Sequence, residues 1–273
     1  MRSLYLVNQT GQTYFLDYRN NTLISSIEGM GFEFDNEHQK YDNNYLVVKK
    51  SIPIQEISLE LVFLKGYRGF REWSEYIASS TELRLFYTSD TNKYCYVNVK
   101  SSTKTQLEAN TIKSSITIER LSLWIVKRTS EIKVNEDESR KQYPYPYPHT
   151  YSTSFNGRKS ITNQSSFDAP VKVVITGGVS NPKLTIEKDG VVISRLQLFV
   201  ESADCRVEVD ATPTNQYMKL FKNDSETNIY DKQNFAYENF LFLPNGTYDF
   251  YFEPGVSKFT KCTIITYEGY IGN

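Results

Sequence analysis

The chain has 273 residues, 39% of them hydrophobic and 23% charged, with a net charge of −1. That length holds one large domain or two ordinary ones. A balance of 31 Lys and Arg against 32 Asp and Glu lacks the basic excess that binding to a phosphate backbone requires, so nucleic acid is not an expected partner. Tyr (21) and Phe (16) far outnumber Trp (2) and Met (3), a composition that favours strands. No apolar run approaches the roughly 20 residues of a membrane span, so no membrane insertion is expected. The opening MRSLYLVNQTGQTYF has no apolar signal core, which predicts synthesis in the cytoplasm without a signal peptide. Cys95, Cys205 and Cys262 form no CxxC and no even framework, and read as ordinary strand thiols.

Between Gly29 and Ser51 the sequence is extended, aromatic and charged: Phe32 and Phe34 alternate with Glu33 and Asp35, and Tyr41 and Tyr45 follow. It reads as a hairpin that either projects as a contact surface for another chain or packs as an edge on its own domain. Ile57, Leu59, Leu61 and Phe63 then alternate with Ser58, Glu60 and Val62, which gives a strand one apolar face. From Gly66 to Ser80 the period changes: Phe70, Trp73 and Ile77 fall on one helical face, with Arg71, Glu72 and Glu75 outward. This is the one substantial helix the sequence predicts. Strand periodicity resumes at Cys95, Val97 and Val99, and at Ile116 and Ile118. It slips by one residue at Glu119–Arg120 before Leu121, Leu123 and Ile125, which implies a bulge or a bend.

The stretch from Glu131 to Asp168 contains no Leu, and its only branched aliphatics are Ile132, Val134 and Ile161. So little apolar surface does not offset the entropy of ordering a chain, and the stretch reads as a polar tether. Within it, Tyr143-Pro144-Tyr145-Pro146-Tyr147-Pro148 reads as a semi-rigid polyproline-II spacer, or as a docking motif for an aromatic groove. The expected domains are therefore residues 1–130, with an extended belt-like segment at about 29–51, a linker at 131–167, and residues 168–273.

The last segment predicts short strands with clear turns. Val171, Val173 and Ile175 come first, and Leu184 and Ile186 lead into the Asp189-Gly190 hairpin signal. Val191 and Ile193, then Leu196, Leu198 and Val200, then Cys205, Val207 and Val209 follow. Phe240 and Phe242 enter the Pro244-Asn245-Gly246 turn, Tyr248, Phe250 and Phe252 leave it, and Ile264 and Ile265 precede Tyr267 and Tyr270. Such a run without a helical period reads as an antiparallel β-sandwich.

Chemistry is thin. His38 lies in a polar run and His149 in the tether, neither beside a nucleophile in sequence. Glu33, Asp35 and Glu37 share a strand face, a pattern open to a carboxylate pair, to Ca²⁺, or to plain solvation. There is no P-loop, HExxH or GxSxG. The expectation is a non-enzyme with no catalytic residue, cofactor or metal.

The order of elements resembles the distal tail protein (Dit) family of long-tailed phages that infect Gram-positive bacteria. The echoes are the Ile57–Phe63 strand before the helix, the Arg120–Trp124 segment RLSLW, and NPKLTIEKDG, FLPNGTYDFYF and TIITYEGY in the second half. The resemblance implies a mainly β structural protein. Its N-terminal β-sandwich or barrel-like domain, with one helix, would form a hexameric ring between tail tube and tail tip, and a galectin-like C-terminal sandwich would sit outside. It implies a place in the virion, with tail tube, tail-associated and receptor-binding proteins as partners, and a belt embracing the neighbouring subunit. Phe32, Phe34, Tyr41 and Tyr45 are then the expected interface residues. The alternative is a carbohydrate-binding protein that recognises a cell-wall saccharide through Tyr217, Tyr230, Tyr237 and Tyr248, with Tyr270 a further candidate.

Overall fold

In a computed structural model, residues 3–88, 91–136, 155–256 and 259–272 are described. Strand accounts for 62% of the structure, and among the described residues there is one α-helix and no closed barrel. The contacts divide the chain into two units, Met1–Val126 with Gly269–Asn273, and Lys127–Glu268.

In the first unit the strands are β1 (Ser3–Asn8), β2 (Thr13–Phe15), β3 (Thr22–Glu28), β4 (Asp35–Tyr41), β5 (Asn44–Ser51) and β6 (Gln55–Phe63). Helix α1 (Gly66–Ala78) is followed by β7 (Leu83–Thr88), β8 (Asn92–Ser102), β9 (Ile112–Arg120) and β10 (Trp124–Lys133), of which residues 127–133 belong to the second unit. Pairing gives the antiparallel order β3-β6-β9-β8-β7-β1-β2. β6 buries every second residue, as its alternation predicts, and Ile57, Leu59, Leu61 and Phe63 enter the core. α1 turns Gly69, Trp73 and Tyr76 inward and leaves Arg71 and Glu75 exposed. Trp73 is sealed edge-on against Tyr14 at 5.3 Å between ring centroids. The slip of phase after Ile118 is the end of one strand and the start of another. β9 stops at Arg120, the Leu121 N–H donates to the Tyr96 carbonyl, and β10 begins at Trp124.

The second unit contains β11 (Asn135–Glu136), β12 (Phe155–Asn163), β13 (Ala169–Ser180), β14 (Lys183–Lys188), β15 (Val191–Gln197) and β16 (Glu201–Asp210). After these come β17 (Tyr217–Lys222), β18 (Ser225–Asn228), β19 (Phe242–Leu243), β20 (Gly246–Glu253) and β21 (Lys261–Tyr270), whose residues 269 and 270 belong to the first unit. One sheet runs β18-β17-β16-β13-β21 and another β11-β12-β20-β14-β15. Val171, Val173, Val207 and Val209 of the first meet Leu184, Ile186, Phe250 and Phe252 of the second in one core, which makes the sandwich. Asp189 and Gly190 both hold positive φ (51° and 79°), the conformation that the two-residue hairpin demands.

Residues 155–163 were placed in the tether by their polarity, yet they form β12, paired with β20 from Gly157↔Phe252 to Asn163↔Gly246. Backbone pairing holds the strand: of residues 156–163 only Gly157, Ile161 and Asn163 are buried. On the outer face Arg158 pairs with Asp249 at 2.7 Å. Asn163, although 1% exposed, donates to the carbonyls of Phe167 and Leu243 and accepts from the Ser165 N–H, so its burial leaves no amide group unsatisfied. The Tyr-Pro repeat and His149 lie outside the described residues.

Candidate functional site

Among the described residues β4 and β5 pair only with each other, as a sheet of two strands. The Asp42-Asn43 turn closes them, with Asp42 at φ 53°. Every residue of both strands is exposed. Within β5, Leu46, Val47 and Val48 are 56%, 56% and 55% exposed. Three consecutive apolar residues present apolar surface on both faces of a strand, which neither solvent nor a single neighbouring sheet accommodates well. An isolated two-stranded hairpin is marginal in water. Here Glu37 and Lys49 add an exposed ion pair at 2.9 Å, worth little on its own.

The expected interface residues lie at the two ends of this arm. Phe32 and Phe34 stand at its root, edge to face at 5.3 Å, with the Lys50 ammonium 3.6 Å from the Phe34 ring centroid. Tyr41 (73% exposed) and Tyr45 (67%) stand at its tip, where Tyr41 faces Asn44 and Lys40 faces Tyr45. The apolar run Leu46–Val48 between them was not singled out from the sequence. Its signal is the very lack of alternation, which marks a strand to be covered on both sides.

The root is built from four segments. Arg120, 3% exposed, donates from Nη1 to the carbonyl of Gly31 (3.1 Å) and to that of Ile271 (3.4 Å), and from Nη2 to Gln55 Oε1. Gln55 Nε2 in turn donates to the Glu33 carbonyl at 3.3 Å. Burial pulls the guanidinium pKa below its ordinary value. Beside this network an open cavity of about 560 Å³ is lined by Gly29, Gly31, Phe32, Glu33, Ile54, Gln55 and Glu56.

In the second unit the proposed saccharide contacts are not one site. Tyr248 is 4% exposed, packed in the core beside Phe250, with its hydroxyl donating to the Asn245 carbonyl, so it offers no face to a ligand. Tyr217 donates to Glu208 Oε2 and accepts from Lys172 Nζ, both at 2.7 Å, and Lys172 lies 2.9 Å from Glu208. Burial disfavours the charges of Glu208 and Lys172, but the hydrogen bonds among the three outweigh it, lowering the Glu208 pKa and raising that of Lys172. Tyr270, in the first unit, is partly buried and packs against that unit's core.

Tyr230 and Tyr237 do share a place, the loop that follows β18 and lies along the edge of β15. Asn234 N–H donates to the Gln197 carbonyl, and the Arg195 N–H donates to Glu238 Oε2 at 3.0 Å. A groove of about 390 Å³ there is lined by Val192, Ile193, Ser194, Arg195, Ala236, Tyr237 and Glu238. The Arg195 guanidinium sits 5.7 Å from the Tyr237 ring centroid, and its buried Nε has no hydrogen-bond partner among the described residues. Phe235, 62% exposed, extends the aromatic surface through its contact with Tyr230.

Glu33, Asp35 and Glu37 are exposed at the root and first strand of the arm, and Glu37 is already paired with Lys49. Among the described residues no three His, Cys, Asp or Glu side chains gather where a metal could be held, and no helix is long and apolar enough to cross a membrane.

Residues 3–121 match the family model described as the distal tail protein, N-terminal domain. The fold is similar to a chain of the phage p2 baseplate in its activated conformation, with TM-score 0.71, 11% identity and 100% of both chains covered. It is also similar to the Dit protein of phage SPP1, described as a paradigm of the hub adsorption apparatus in phages infecting Gram-positive bacteria. There the TM-score is 0.64 at 9% identity, over 98% of this chain and 99% of that one. No curated protein matches the chain.

Proposed function

We propose, from the match of residues 3–121 to the distal tail protein family model, that the chain is a member of that family and builds a hexameric ring at the tail tip of a phage virion, joining the tail tube to the adsorption apparatus. The coarser statement, a structural tail protein, follows from the family and fold together. The β4–β5 arm is the observation that carries the finer one. A hairpin exposed along its whole length is covered by none of the described residues of its own chain, and another molecule would supply the buried area it lacks. Reaching from one subunit onto a different patch of the next makes a heterologous contact, the kind that closes a cyclic ring. Phe32, Phe34, Tyr41 and Tyr45 supply the aromatic anchors of that contact, and Leu46, Val47 and Val48 its apolar middle. The domain reading of residues 1–130 as the ring body and 168–273 as an outward module serving receptor-binding proteins is part of the same proposal.

Light scattering of the purified chain tests it. A ring predicts a mass near six times 31.7 kDa. A monomer that persists at the highest soluble concentration would sink the proposal.

A second reading rests on the groove beside β15. Arg195 and Ser194 offer donors, Glu238 an acceptor and Tyr237 a ring, a set suited to sugar hydroxyls. Binding of cell-wall saccharide that is abolished by Tyr237→Ala would support it; binding unchanged by that substitution would move the site elsewhere.

A further inference from the structure

We infer that Arg120 is the positioning residue of the arm: its guanidinium, closed over by residues 269–272, sets the direction in which the β4–β5 hairpin leaves the first unit. The inference rests on the reading of the arm as an assembly element.

Arg120 is the last residue of β9, an interior strand, opposite Gln55 of β6 on one side and Val97 of β8 on the other. Its anchorage is therefore rigid. Its three acceptors come from segments far apart in sequence, Gly31, Gln55 and Ile271, and none is a carboxylate. No ion pair of Arg120 occurs among the described residues.

A buried cation with no counter-charge among the described residues is a poor way to stabilise a core, and a well-packed apolar side chain of similar volume often does as well or better. What arginine offers instead is a planar fork of five donors in fixed directions. Here the fork reaches both legs of the arm. Gly31 directly precedes Phe32 on the incoming leg, and Gln55, which also holds the Glu33 carbonyl, begins the strand after the outgoing leg. A leg held at one point swivels, whereas two legs held by one side chain keep their direction.

The segment after β21 closes the clamp. Ile271 gives Arg120 its third acceptor. Gly272 lies beside Phe32, where an added Cβ would stand 4.0 Å from the ring, and Gly269 packs so closely on Leu123 that a Cβ would come within 2.8 Å. Lys93 lies 5.3 Å from the Tyr270 ring centroid and ties the same segment to β8.

The full-length chain and its Arg120→Met and Arg120→Lys variants test this by hydrogen exchange and light scattering. Arg120→Met keeps the bulk and removes every donor; Arg120→Lys keeps the charge and loses the fork. Both are expected to melt within a few degrees of the parent. Amides of residues 31–54 should exchange faster by about tenfold, the worth of one hydrogen bond to a charged group. Assembly should need at least about tenfold more protein for the same reason. A substitution that merely loosened the core would lower the melting temperature and raise exchange across β6, β8 and β9 together. If Arg120→Met fails to fold, Gln55→Met removes the amide link between the legs and should show the same local exchange and weakened assembly. Either variant assembling at the parent's concentration with unchanged exchange in 31–54 overturns the inference. A parent chain that never assembles overturns the ring instead, and leaves the exchange comparison to judge Arg120.

Discussion

Gly29 lies against the backbone of Glu56: a Cβ built on Gly29 would stand 2.1 Å from the Glu56 carbonyl oxygen, and Gly29 holds φ at +80°. Both facts forbid a side chain where β3 hands over to the arm. Gly29→Ala is expected to destabilise the chain by roughly 2 kcal/mol or more, combining left-handed strain with a backbone clash. Denaturant titration reads this directly, and a midpoint equal to that of the parent would contradict it.

Trp73 anchors α1 to the sheet. It is 1% exposed and lies 5.3 Å from the Tyr14 ring centroid and 6.4 Å from that of Phe63. Trp73→Ala is expected to cost about 3–5 kcal/mol, the range for removing a large aromatic from a closed core. Calorimetry should show the transition that involves residues 3–126 moving well below the one that involves residues 155–268.

Exposed residues of the arm behave oppositely. Tyr45→Asp and Val47→Asp change no buried contact within the chain, so each should alter stability by no more than about 0.5 kcal/mol. Each should still abolish the oligomer, because a carboxylate in a desolvated interface lacks a partner. An oligomer that survives both substitutions would place the contact elsewhere.

The Lys172–Glu208–Tyr217 cluster makes stability depend on pH at both extremes. Glu208 has a lowered pKa, so its contribution is present above the ordinary carboxylate value near pH 4 and is lost as pH falls through the lower folded value. Lys172 has a raised pKa, so its contribution is present below the ordinary lysine value near pH 10 and is lost only as pH rises beyond that. Glu208→Gln should therefore be less stable than the parent at pH 7, and the two should converge as the buffer is acidified below about pH 4. Parallel curves with no convergence would mean the carboxylate's charge contributes nothing.

The strands and the helix were legible because their side chains obey one period each. Ile57 to Phe63 alternates without a fault, and Trp73 follows Phe70 by one helical turn. β12 was illegible because its inward positions are Gly157, Ile161 and Asn163, which are small, single or polar, and because a backbone ladder leaves no trace in composition. Asn163 shows the general difficulty: a buried amide whose partners are all hydrogen bonds looks, in sequence, like a residue of a loop. Of the candidate contacts, Tyr248 alternates with Phe250 and Phe252 on the inward face of β20, a register visible in the sequence that argued against a surface role. Tyr230 and Tyr237 came together through a loop that no period describes. Arg120 was visible only as a letter in RLSLW, since its three acceptors come from places that only the fold unites.

The open ladder edges of β4 and β5 also bear on how the chain survives before it finds its neighbours. Unpaired amides beside Tyr45-Leu46-Val47-Val48 would template fibrils were the strand flat and uncharged. Lys40, Lys49, Lys50, Glu37 and Asp42 stand around that run as gatekeepers, and a break in register between Glu37 and His38 twists the ribbon. Neutralising those lysines would be felt first as insoluble protein during expression, well before any effect on the finished particle.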